Sequence, residues 1–119
     1  MINFNPAQFG LALVLLPLLD LPWLLLQQTI GAPMFAAIQG RKVSMKLWPA
    51  VVVYLALAFL LLQQTSITQA ALSGAATYAV YDFTNLAVFD EYKLWFALAD
   101  SLWGGILFAA AFAILKLVF

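Results

Sequence analysis

The chain has 119 residues, 66% of them apolar and 8% charged, with no cysteine, no histidine and a formal net charge of zero. A soluble domain carries about 25% charged residues, so this composition excludes a surface turned wholly to water. The zero balance argues against nucleic acid as an electrostatic partner, and the missing Cys and His remove disulfides, thiolate nucleophiles, haem ligation by histidine and the usual zinc sites.

What the composition allows is one all-α domain over 1–119: an integral membrane four-helix bundle with short loops, embedded in lipid. Residues 1–8 lack a basic region and no small-residue cleavage pattern follows, so no cleaved secretory signal is expected. The first span is predicted over 9–26. Its run LALVLLPLL does not alternate, as a barrel strand would, and a helix is the remaining membrane solution. Pro17 and Pro22 flank Asp20 and leave the carbonyls of Leu13 and Leu18 without their helical donors. In the segment IGAPMFAAIQG that follows, Ile30, Met34 and Ile38 recur at helical spacing. Two readings stand for it, a short helix on the membrane surface and a prolongation of the first span.

The second span is predicted over 47–62, with Trp48 at the interface and Pro49 at the helix start, where its missing amide costs nothing. The third runs over 70–89 and the fourth over 94–119, with Tyr92 and Trp95 as interfacial residues. Arg41, Lys42 and Lys46 lie in the first loop and Lys93 in the third, so the positive-inside rule puts both loops in the cytoplasm and both termini outside. The string LLLQQT closes spans one and two, at 24–29 and 60–65. It reads either as a trace of duplication or as Gln and Thr serving at two interfaces.

Asp20, Asp82 and Asp100 fall inside spans, where insertion scales charge a carboxylate at least ~2.5–3.5 kcal/mol. No basic residue shares their depth. At 1.5 Å per residue all three lie ~10–15 Å from the cytoplasmic boundary, in one layer. Gly74, Tyr78, Asp82 and Asn85 form one stripe of span three, and Asp100, Trp103 and Gly104 share a face of span four. There Gly104 admits a neighbouring backbone. Spans one and four repeat D-x-x-W, as Asp20 with Trp23 and Asp100 with Trp103. Each indole N–H can donate to its own carboxylate or to the one on the facing helix. The three carboxyl groups are expected to face one cavity. Asp20, Asp82, Asn85 and Asp100 are thus the candidate proton, cation or polar-cluster site.

The segments LDLPWL at 19–24, AVYDFTNLAVF at 79–89 and ADSLWGGIL at 99–107 carry a resemblance. The chain resembles a family of predicted membrane proteins catalogued as domain of unknown function 2177. Its members look like four-span proteins with L-D-x-x-W-L, Y-D-x-T-N-x-A and D-x-x-W-G on spans one, three and four. Leu19, Asp20, Trp23 and Leu24 match the first motif; Tyr81, Asp82, Thr84, Asn85 and Ala87 the second; Asp100, Trp103 and Gly104 the third. The similarity covers nearly the whole chain, which is shorter than typical members between spans one and two. The resemblance implies a fold and a set of residues to test, with Trp23, Tyr78, Tyr81, Thr84, Trp103 and Gly104 in support. It brings no activity.

Three functions compete. In the first, the carboxylates bind protons or cations and couple them to small-solute movement, because acids crowded at low dielectric titrate as a linked set; so small a chain is expected to act as a homo-oligomer. In the second, the buried acids are interhelical glue and the protein is a structural or accessory subunit of a larger membrane assembly, a virion's internal membrane among them. In the third, the acids with Asn85 hold a divalent metal through oxygen ligands for lipid chemistry. The catalytic inventory for that is thin. No cofactor is expected and no residue is assigned as catalytic.

Overall fold

The computed structural model describes residues 2–44 and 46–119, and among these the chain forms five α-helices and no strand. They are α1 (Pro6–Ile30), α2 (Ala32–Gln39), α3 (Leu47–Leu62), α4 (Ile67–Val88) and α5 (Leu94–Val118). Two of them, α1 and α5, are long and apolar enough to cross a membrane, with mean hydropathy 2.2 and 1.9. Helix α3 is apolar but has 16 residues. Helix α4 has 22 residues and dilutes its apolar content with Gln, Ser, Thr, Tyr, Asp and Asn.

The helix ends have local causes. Asn5, in extended backbone, accepts the amide of Gln8 at 3.1 Å, and Pro6 opens α1 where no donor is needed. Helix α1 runs on through Pro17 and Pro22 and beyond the predicted 9–26 at both ends. Ser66 caps α4 by accepting the amide of Gln69 at 3.1 Å. The helix over 47–62 has the predicted bounds; α4 starts three residues earlier than predicted.

The segment after α1 forms a separate short helix rather than a simple prolongation of the first span. The chain breaks at Gly31, restarts with Pro33 in the first turn and ends at Gly40, whose φ of 79° is left-handed and suits a residue without Cβ. Met34 of α2 is buried with Tyr92, Phe96 and Ala97, so this short helix covers the end of the bundle where α4 turns into α5.

Helices α4 and α5 make the closest pairing, α1 packs on α3 and α5, and α3 also touches α5; α3 and α4 do not pack along each other. The α4–α5 contact is backbone on backbone. A Cβ added at Gly104 would lie 2.6 Å from the Gly74 oxygen and 2.5 Å from the Tyr78 ring, and one at Gly74 would run into the Gly104 carbonyl. The main core gathers Leu16, Leu57, Ala58, Leu61, Leu107, Phe108 and Ala111. At one end Asn3 and Gln63 exchange hydrogen bonds of 2.9 and 2.7 Å, and Asn3, Gln64, Thr65 and Lys116 line a polar hollow. The N-terminal segment, the α3–α4 loop and the end of α5 therefore meet there. The other end holds α2 and the α4–α5 loop, where Lys93 N–H donates to Met34 sulfur at 3.2 Å.

Candidate functional site

Between the two apolar clusters lies the acidic layer. Asp20 is 4% exposed, Asp82 0% and Asp100 5%. Buried acids need hydrogen-bond partners, and here the donors are indoles and phenols rather than cations.

Asp20, on α1 between the two prolines, accepts Tyr54 O–H at 2.5 Å on Oδ2 and Trp103 Nε1–H at 2.6 Å on Oδ1. Asp100, on α5, accepts Trp23 Nε1–H at 2.7 Å on Oδ1. The two D-x-x-W units are therefore crossed: each tryptophan donates to the carboxyl of the facing helix, not to its own. The indoles stack, with centroids 6.1 Å apart and planes 26° from parallel, and Trp23 also stacks on Phe96 at 6.2 Å. Each helix thus positions the other's acid, and the stack sets the distance between α1 and α5.

Asp82 has a different setting. Its Oδ1 accepts Tyr92 O–H at 2.6 Å, while its buried Oδ2 finds no partner among the described residues. Tyr92, predicted as an interfacial residue, is 3% exposed and held edge-on by Phe35 and Phe96. Burial, reinforced by the bond to Asp82, pushes its phenol above the ordinary range, so it stays a donor. Trp48 and Trp95 remain exposed.

Asp20 and Asp100 line a cavity of about 500 Å³ together with Tyr54, Thr77, Tyr78 and Tyr81. Asp82 is not among the residues that line it, which departs from the expectation of a single cavity shared by all three acids. Asn85 is half-buried, three residues after Asp82 on α4. Tyr78 rests on Gly104. Thr84 is exposed and takes no part in the cluster. No group of three acidic residues among those described is arranged to hold a metal ion.

Sequence reasoning missed two donors. Tyr54 had a usable signal: it lies seven residues into α3, at the depth of the acids, in a run otherwise almost wholly apolar. Tyr92 had none, because its reach back to Asp82 depends on how the chain turns after Val88.

An all-α chain with apolar helices of bilayer length and acids buried against neutral donors is a helical membrane protein. A family model described as "Predicted membrane protein (DUF2177)" matches residues 6–117, and the chain belongs to that family, as the three motifs implied. No curated protein and no solved structure matches it.

Proposed function

We propose that the protein crosses the bilayer four times as one domain, through α1, α3, α4 and α5, and that Asp20, Asp82, Asn85 and Asp100 form an intramembrane site for protons or cations coupled to small-solute movement. The four-span reading is supported by the long dimension of 45 Å, close to a bilayer with its headgroups. It is also supported by the apolar outer faces, where Val14, Leu18, Val52, Leu72, Leu102 and Ile106 are exposed. Cysteines introduced at Ser44 and Thr68 are expected to label from opposite sides of the membrane, with Ser44 cytoplasmic. Labelling of both from one side would remove the four-span arrangement.

The observation that carries the site reading is Asp82: an acid with no exposure whose Oδ1 is met only by a neutral phenol and whose Oδ2 has no partner among the described residues. Glue alone would be served by Asn, which makes the same bonds without the cost of an ionisable group in lipid. The protein reconstituted in vesicles is expected to move protons or sodium under an imposed gradient. Vesicles tight to both ions, holding folded protein, would end this reading.

A second reading, a structural or accessory subunit of a larger membrane assembly, is favoured by Asp20, whose two oxygens are both satisfied by neutral donors. Fixed-stoichiometry partners in a mild-detergent purification, with no ion movement, would select it. A homo-oligomer fits either reading.

A further inference from the structure

The cavity beside the acids is too large for the ion that the site reading invokes. A water molecule takes about 30 Å³ of liquid volume, whereas this cavity holds about 500 Å³, within the range of sites for organic ligands. Its walls describe the ligand. Leu24, Val53 and Leu57 supply apolar surface, and Tyr54, Tyr78 and Tyr81 supply aromatic rings. Asp20 and Asp100 supply the only ionisable carboxyl groups of the lining. Asp20 has both oxygens engaged, but Trp23 bonds only Oδ1 of Asp100, and Asp100 itself is 5% exposed. Among the described residues no hydrogen bond engages the second oxygen of Asp100, and Asp100 lines the cavity.

The route to the cavity is lateral. Helices α3 and α4 flank it without packing along each other. Val53 on α3 and Tyr81 on α4 line it and are 51% and 53% exposed. Access is from the lipid-facing side, which a hydrophobic molecule reaches by partitioning.

We propose that this cavity binds a lipophilic organic cation, entering between α3 and α4, with its charge at Asp100 and its apolar body against the tyrosines and Leu24, Val53 and Leu57. This rests on the acidic layer being a cation site and names the class of solute it takes. A cation over a tyrosine face is attracted by the ring quadrupole, and a permanent positive charge compensates an acid that has no cationic partner in the protein. A neutral molecule of the same shape gains only the apolar contacts.

The test uses the full chain in phosphatidylcholine nanodiscs, with empty nanodiscs subtracted, and two probes of similar shape. Methyltriphenylphosphonium carries the charge and triphenylphosphine oxide does not. Radiolabelled phosphonium is expected to bind saturably, and the oxide to compete about tenfold or more less effectively, the ratio a single charge contact typically yields. Asp100→Asn is expected to weaken the phosphonium by a similar factor without changing the oxide, and Tyr78→Leu to weaken both. Equal affinity for the two probes, or no saturable phosphonium binding, would overturn the proposal. The probe comparison is made on the unaltered protein, so it decides even where Asp100→Asn does not fold. Ion movement in vesicles without phosphonium binding would leave the proton or inorganic-cation reading in place and remove this one. Phosphonium binding without ion movement would leave the cavity assignment in place and remove the coupling.

Discussion

Asp82→Asn is expected to leave the protein folded and to reduce gradient-driven ion movement to the level of empty vesicles. Asparagine is nearly the same size, and its Oδ1 still accepts the Tyr92 hydroxyl that Asp82 now accepts at 2.6 Å. That bond is kept, and only the ability to gain and lose a proton is gone. Asp82→Leu is the complementary variant. It strands a buried phenol without an acceptor, at a cost of about 1–3 kcal/mol, and is expected to lower stability in detergent. If Asp82→Asn carries ions as well as the unaltered protein while Asp82→Leu fails to assemble, the acid is interhelical glue and the carrier reading falls. Asp100→Asn is expected to follow Asp82→Asn. Trp103→Phe is milder, since it removes one of the two donors to Asp20.

Gly104→Ala is expected to destabilise the bundle by about 1–3 kcal/mol, the usual range for overpacking a tight interface, and Gly74→Ala by a similar amount. The new methyl group at Gly104 meets the Tyr78 ring at 2.5 Å and the Gly74 oxygen at 2.6 Å; the one at Gly74 meets the Gly104 carbonyl and the Phe108 Cβ, the latter at 2.7 Å. A backbone carbonyl cannot rotate away as a flexible side chain can, so α4 and α5 must separate. Both changes break the same contact, so the double variant is expected to lose less than the sum. Gly10→Ala is the control: a Cβ there meets nothing within 4 Å, and alanine favours a helix. Denaturant titration in micelles reads all four. Gly104→Ala as stable as Gly10→Ala would contradict the backbone contact. The displaced Tyr78 also lines the cavity, so Gly104→Ala is expected to weaken ligand binding along with stability.

Much of the architecture was written along the chain. Long apolar runs mark α1, α3 and α5, although Asn5 and Pro6 start α1 ahead of the expected residue 9. The helical period alone assigns Gly74, Tyr78 and Asp82 to one face of α4 and Asp100, Trp103 and Gly104 to one face of α5, and the buried members of each stripe lie on those faces. Depth and face follow from rise and turn per residue, so a single helix suffices to compute them.

What the sequence did not fix was which helix meets which face. D-x-x-W allows an indole to serve its own carboxyl or the opposite one, and the crossed pairing of Trp23 with Asp100 and Trp103 with Asp20 was settled by the stacking of the two rings between α1 and α5. The burial of Tyr92 depends on α2 and Phe96 closing over the α4–α5 turn. The withdrawal of Asp82 from the cavity depends on Gly74 and Gly104 bringing α4 hard against α5, while α3 keeps its distance from α4. Each of these outcomes rests on complementarity between surfaces far apart in the chain, and local periodicity carries no information about it.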